Sequence, residues 1–470
     1  MAKDNIMSLW VENEADYRQL LTEIDVPLIT ELIPLKLIKS VIQECHVQEK
    51  RRRCLPAWLM VLLCIMRGIF AQEAFSSVFA RLCFVPCLQS GFPLTALPDK
   101  SALCLARYRL GARPLALLFK RICHPIATPQ TPGAFAFGYR LVAIDSTKET
   151  VADTPANADY FGRHRTRKGR DDSAFPLFQA LYLCECSTHV IFDAAITPFK
   201  VDHYDYFRRL LRSVDATMLV MFDRGFIGYH SLKAICDCQA QALAPVKKDM
   251  KLRPQQYLAD GTYIAHLRSW ANGGANDDPP LPVRVITYTI DDPQRNPQQL
   301  SFRLITTLLD PELYPAATLI KLYHQRWDIE LAIDEIDTHQ RLSWTPFRSQ
   351  KPVGVIQEFY ALLLAYFIIR SVMHRSAEVL DDTSQRLSFI NALRLIQHVI
   401  PVTQLLWGTH YHRLIELFHQ WQQYFRLPPR DNRINPRVVK RKQSKFRRKK
   451  PEHVSIKVQP FAHVIRLCGA

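Results

Sequence analysis

The chain has 470 residues, with 61 Lys and Arg against 44 Asp and Glu, a formal net charge of +17 and 48% hydrophobic residues. That length and apolar content exclude a disordered or fibrous protein and predict roughly two to four domains with a large core, while the charge points to a polyanionic partner, either nucleic acid or an anionic membrane. The twelve cysteines show no metal-finger spacing, and the pairs Cys184/Cys186 and Cys236/Cys238 read as reduced thiols in a reducing compartment.

The N-terminus, MAKDNIMSLWVENEADYRQ, is mixed in charge and lacks the apolar stretch of a secretory signal. Residues from about 9 to 130 read as helical. WLMVLLCIM (58–66) and, much later, ALLLAYFII (361–369) read as buried helices. Each falls well short of the ~20 residues that span a bilayer, so the membrane loses and nucleic acid leads. LPDKSALCLARYRLG predicts a helix capped by Ser101 and stopped at Gly111.

Near residue 137 the pattern changes. GYRLVAIDST is a strand ending in an acid, and FPLFQALYLCECSTHVIFDAAITPF holds two more strands. YDYFRRLLRSV is a helix, ATMLVMFDRGF a buried strand and HSLKAICDCQA a helix, an order that indicates an α/β or α+β core with a mixed sheet. His189 reads as structural, and Asp202 and Asp205 as capping or surface acids. Residues from about 243 to 312 return to strands, among them LPVRVITYTIDD and QLSFRLITTLL, separated by polar segments such as SWANGGANDDPP.

YHQRWDIELAIDEID, residues 323–337, predicts one helix. At about 100° per residue, Tyr323, Arg326, Glu330, Asp334 and Asp337 share one face, beside an apolar stripe of Leu322, Ile329, Ile333 and Ile336. Further helices follow to about residue 425. The C-terminal run RDNRINPRVVKRKQSKFRRKK (430–450) has eleven Lys and Arg and one Asp, which marks a basic arm for phosphate. A second basic run, GRHRTRKGR (162–170), precedes FPLFQ as a loop. No GxxxxGK[ST] is present, which argues against an ATPase.

Two acids carry the chemistry. Asp145 follows LVAI and Asp223 follows LVMF, so each sits where a buried strand meets the sheet edge. With a Glu on a helix they meet the requirement of a two-metal phosphoryl-transfer site, in which hard oxygen ligands hold two Mg²⁺ about 4 Å apart.

AIDST around Asp145, MFDRGF around Asp223 and the Y-x2-R-x3-E spacing of Tyr323, Arg326 and Glu330 resemble the DDE transposases of bacterial insertion sequences, in the insertion-sequence family 4 group. RRRCLPAW, ADTPANADYFG, LLDPELYPAATLIKLYHQRW and FRSQKPVGVIQEFYALLLAY extend the resemblance over more than 400 residues. It implies an α+β multidomain protein with an RNase H-like mixed α/β catalytic core, a β-rich insertion, a helical N-terminal domain and a helical, basic C-terminal region. The division read from the chain is a helical DNA-binding domain over 1–133, the first part of the core over 134–242, the insertion over 243–312, the catalytic helix region over 313–345, a helical region over 346–425 and a basic arm over 426–470.

The resemblance further implies that Asp145, Asp223 and Glu330 are catalytic and bind two Mg²⁺, with Mn²⁺ as a substitute. Tyr323 and Arg326 contact phosphates of the transposon end. The basic residues set for DNA are Arg163, Arg165, Arg167, Lys168, Arg348, Arg437, Lys440, Arg441 and Lys442. The partners are double-stranded DNA, both transposon ends and target, and a second copy of the chain in a synaptic complex. The setting is the bacterial cytoplasm and its nucleoid. A non-catalytic DNA-binding remnant and another RNase H-like metal nuclease are the competing functions. The family signature continues to a Lys seven residues after the Glu, where this chain has Asp337; His339, Arg341 or Lys321 would have to compensate. Trp270 is a weak candidate for stacking a flipped base.

If the basic runs lie on phosphates, each neutralised phosphate contributes about −0.9 to the slope of log K against log salt on duplex DNA. Deleting residues 430–450 is expected to flatten that slope in fluorescence-anisotropy titrations. An unchanged slope would make the run a solubility device.

Overall fold

The computed structural model describes residues 24–51, 53–90, 97–164, 173–199, 201, 203–247, 250–271, 274–275, 278–291, 298, 300–341 and 345–428. Among the described residues six helices come first: α1 (Pro27–Thr30), α2 (Leu35–Glu44), α3 (Ala57–Ile69), α4 (Phe75–Ser90), α5 (Lys100–Leu110) and α6 (Arg113–Ile122). Every residue of α3 but Trp58 is buried, as an apolar run with no polar face requires. α5 is capped by Asp99, whose side chain accepts from the Ala102 N–H at 2.7 Å, and not by Ser101, which lies inside the helix. Asp is as good a cap as Ser, and the fold takes the earlier of the two.

A mixed sheet follows. β1 (Phe135–Ala136) pairs with β2 (Tyr139–Thr150); then come α7 (Pro155–Phe161), β3 (Leu177–Glu185), β4 (Ile191–Pro198), α8 (His203–Leu210), β5 (Met218–Phe222), α9 (Tyr229–Asp237) and β6 (Gln241–Pro245). β2, β3 and β4 form an antiparallel meander. After the crossover through α8, β5 pairs parallel with β2, and β6 parallel with β5. β7 (Pro254–Tyr257), β8 (Tyr263–Leu267), a short ribbon of β9 (Trp270–Ala271) and β10 (Gly274–Ala275), β11 (Leu281–Thr289) and β12 (Ser301–Thr306) complete the strands. The full order is β4-β3-β2-β5-β6-β12-β11-β8-β7. The strands that follow residue 250 thus continue the core sheet, because β12 pairs antiparallel with the edge of β6. Arg284 on β11 is fully buried and reaches Asp260 at 2.5 Å and the Tyr314 carbonyl at 2.6 Å, which braces the turn leading into the next helix.

That helix is broken. α10 (Ala316–Gln325) and α11 (Trp327–Asp334) meet at Arg326, and a π-helical turn, Glu335–Gln340, continues α11. After it come α12 (Pro352–Val379), α13 (Phe389–Thr403) and α14 (Gly408–Trp421). α12 extends well beyond the apolar run at 361–369. Its 28 residues include a stretch with a mean hydropathy of 1.7, long and apolar enough to cross a bilayer, yet 72% of that stretch is buried inside the protein. α12 packs against α3, α6, α13, α14 and β4, so its apolar surface is covered by helices on one side and the sheet on the other. Gln357, Arg370 and His374 are buried along it.

The contact between α3 and α12 is close enough to need a glycine. A Cβ on Gly68 would lie 2.6 Å from both the Ala361 carbonyl oxygen and the Ala365 Cβ. Gly68→Val is expected to destabilise the protein by about 1–3 kcal/mol in urea unfolding, as overpacking of a close helix contact does. Gly228→Ala, where an added Cβ meets nothing within 4 Å, is expected to be nearly neutral.

Candidate active site

The parallel pairing of β2 with β5 sets the acids side by side. Ile144 lies opposite Phe222, so Asp145 and Asp223 are the next residues along two adjacent strands. Asp223 lies just past the end of β5, but β2 does not end at its acid as expected, because pairing with β3 carries it on to Thr150. Asp145 is mostly buried, and its Oδ1 accepts from the Ser146 N–H at 2.7 Å. Asp223 stands just beyond β5 and accepts from the Gly225 N–H, which folds the DRG segment into a turn. α11 packs across β2 and β3 and brings Glu330 to the same place.

Arg326, at the break between α10 and α11, joins them. Its Nη1 donates to Asp145 Oδ2 at 3.1 Å and its Nη2 to Glu330 Oε1 at 2.8 Å. Arg326 is buried, and its guanidinium carbon lies 5.8 Å from the centre of the Tyr323 ring. Burial raises the Asp145 pKa; the Ser146 N–H and Arg326 oppose the rise, and the charges of Asp223 and Glu330 add to it. Burial likewise pushes the Tyr323 phenol up to about 12, with Arg326 opposing and Asp223 adding. Asp223 and Glu330 therefore both lie within electrostatic reach of Asp145. Among the described residues no three His, Cys, Asp or Glu side chains are arranged so that they could close round an ion. The cation seen against Asp145 and Glu330 is the guanidinium.

The other expected site residues are dispersed. Arg348 is exposed, donating to the Gln72 carbonyl at 3.2 Å. Arg163 is turned inward: it donates to the carbonyls of Ser173 and Ala174 at 3.1 and 2.9 Å and pairs with Asp153, so its guanidinium closes the base of its own loop. Arg165, Arg167, Lys168, Arg437, Lys440, Arg441 and Lys442 lie outside the described residues.

Asp337 does not continue the face of Glu330. An α-helix would place it about 20° away, but the π turn from Glu335 shifts the register and delivers its carboxyl to β2. There Arg341 Nη1 lies 2.7 Å from Glu149 Oε2 and 3.5 Å from Asp337 Oδ1. Burial first, and then the charge of Glu149, push the Asp337 pKa well above the carboxylate range, against the pull of Arg341. Glu149 is a residue that sequence reasoning missed, although its place on β2 four residues after Asp145 puts both acids on one face of the strand.

A second cluster supports the helix from behind. Glu335 pairs with the fully buried Arg370, accepts from the Tyr366 hydroxyl at 2.8 Å and lies 3.6 Å from His189. Burial works against the Glu335 charge, yet Arg370 holds its pKa down at about 2. His189 is thus part of the buried support.

The chain is a DDE transposase. The family model of the transposase DDE domain matches residues 136–368, a span that contains all three acids. It belongs to the insertion element 4 group, whose N-terminal family model matches residues 23–120. The transposase InsG for insertion sequence element IS4 of Escherichia coli strain K12 is 26% identical over 424 residues, covering 87% of this chain and 91% of that protein. A cryo-EM structure of a piggyBac transposase synaptic complex with hairpin DNA aligns over 89% of this chain and 87% of that chain, with 12% identity and a TM-score of 0.42.

The Asp337 site has a pH signature. An Asp with a higher pKa folded than unfolded contributes fully below its unfolded pKa, and that contribution is lost as pH rises toward the folded one. Asp337→Asn keeps the shape without the ionisation. It is expected to raise the melting temperature, and by more at pH 8 than at pH 5, in circular-dichroism melts. An equal difference at the two pH values would show that Asp337 ionises freely in the fold.

Proposed function

We propose that Asp145, Asp223 and Glu330 are the catalytic carboxylates with which this transposase cuts donor DNA at the terminal inverted repeats and joins the freed 3′ ends to target DNA. The observation that carries the reading is the bridge from Asp145 through Arg326 to Glu330, with Asp223 on the adjoining strand end. The core is RNase H-like in this reading. Its support is a three-strand antiparallel meander followed by two strands parallel to the first, with one acid on the first strand and one just past the end of the fourth.

The donor set fits Mg²⁺, or Mn²⁺ in its place: all three ligands are carboxylates, hard oxygen donors, and their mutual repulsion calls for positive charge. Bound there, a pair of divalent ions would lower the pKa of an attacking water and stabilise the leaving oxygen. The residues of the chain do the rest. β2 and β5 hold Asp145 and Asp223 on rigid strands, and α11 holds Glu330 on a helix pinned by Arg370. Hydrolysis breaks a P–O bond and frees a 3′-OH, which in the second step attacks a target phosphodiester, forming a new P–O bond as the target's own 3′ oxygen leaves. Tyr323 and Arg326 border the acids and are the groups placed to meet phosphates of the transposon end. A homodimer holding two ends is part of the proposal; the exposed Trp407, Trp421 and Tyr424, before, at the end of and after α14, are suited to such an interface.

Alanine at Asp145, Asp223 or Glu330 is expected to abolish strand cleavage and strand transfer on a labelled transposon end, while gel shifts of the same DNA persist. Cleavage retained in any one variant would remove that residue from the catalytic set. Cleavage without strand transfer by the parent chain would make it a nuclease.

A further inference from the structure

We propose that Arg326 is an exchangeable counter-ion: its guanidinium holds, between Asp145 and Glu330, the place of a divalent cation and must leave it for that cation to bind. The inference rests on the metal-binding reading of these acids and goes beyond it, because it makes loading of the site a competition inside the chain.

Arg326 and Glu330 alone would be an ordinary pair one helical turn apart. The second bond makes the difference, since it reaches Asp145 on β2 and ties the helix to the strand through one guanidinium. Even so, one guanidinium stands against three acids, since Asp223 lies at the end of the strand adjoining Asp145. Behind the helix the fully buried Arg370 faces one carboxylate, Glu335, which also accepts from the Tyr366 hydroxyl. A divalent ion at the Arg326 position supplies one more positive charge than the guanidinium and suits the same oxygens. Arg326 stands beside Tyr323 at the break between two helices, where its side chain can leave the acids without unwinding either.

Exchange has a further consequence. A released guanidinium needs an anion, and a DNA phosphate offers one in bidentate geometry. A DNA end therefore removes the competitor as it binds, so DNA and divalent cation bind with positive coupling, each raising the affinity for the other by the same factor.

The test is Mn²⁺ binding to the full chain by isothermal titration calorimetry and electron paramagnetic resonance, with melting temperatures measured alongside. Arg326→Ala is expected to bind Mn²⁺ about fivefold tighter or more without DNA. Its metal-free form is expected to melt lower than the parent and to recover with Mn²⁺. A short transposon-end duplex is expected to tighten Mn²⁺ binding by the parent chain and to do so much less for the variant. Arg326→Gln, which keeps hydrogen-bond donors but no charge, serves the same comparison if Arg326→Ala does not fold. Mn²⁺ affinity unchanged or weakened in both variants, with Asp145→Asn still abolishing binding, overturns the exchange and leaves the metal site standing. Absence of Mn²⁺ binding to every form, with and without DNA, overturns the metal reading together with it.

Discussion

Three carboxylates gathered at one edge of a sheet repel each other, and a fold that assembles them must supply both rigidity and positive charge. The rigidity comes from strand pairing. Because β5 runs parallel to β2 with Phe222 opposite Ile144, Asp145 and Asp223 emerge together and cannot relax apart without breaking buried backbone ladders. The charge comes from Arg326, bonded to Asp145 and to Glu330. α11 is therefore held on the sheet by the acids it helps to neutralise, and this charge balance sets the position of the helix.

The rest of the molecule keeps that helix from moving. Glu335, the first residue of the π turn, is clamped by Arg370, which is fully buried on α12. Gln340, at the end of the same turn, donates from Nε2 to the carbonyls of Gly68 on α3 and Leu362 on α12, both at 3.1 Å. One side-chain amide thus ties the N-terminal helices, the central helix and the π turn together. α12 carries the load because it is buried for most of its length between those helices and β4. A membrane-like composition is the result of this central position, since such a helix has no face left for water.

The buried runs were legible because four apolar residues followed by an Asp leave few alternatives. Asp223 does lie just past β5, but β2 runs on through Asp145 to Thr150, since its pairing with β3 is not visible in the local pattern. Glu330 was legible from its spacing to Tyr323 and Arg326 on a periodic helix. The break at Arg326 and the π turn were not, because both answer to distant partners, Asp145 across the sheet and Arg370 on α12, that local periodicity does not contain. The same holds for Arg163, whose basic neighbours suggest an open surface although Asp153 and two carbonyls enclose it. The strands after residue 250 were legible as strands. Their attachment to the core sheet through β6 and β12 was not, since alternation specifies a face and not a neighbour.

Asp337 shows how a departure from a family signature is absorbed by a fold. Read on an ideal helix, it adds an anion where relatives carry a cation, and it faces DNA. In the structure the π turn swings it away from Glu330 and onto Arg341 and Glu149. Burial and the charge of Glu149 raise its pKa there, while Arg341 pairs with both carboxylates. What the replacement removes is the cation, and Arg341, stacked 4.0 Å from the Phe347 ring and bonded to the Thr345 carbonyl at 2.7 Å, is committed to the loop that follows the site. The acids, two turns earlier on the helix and on separate strands, keep their arrangement.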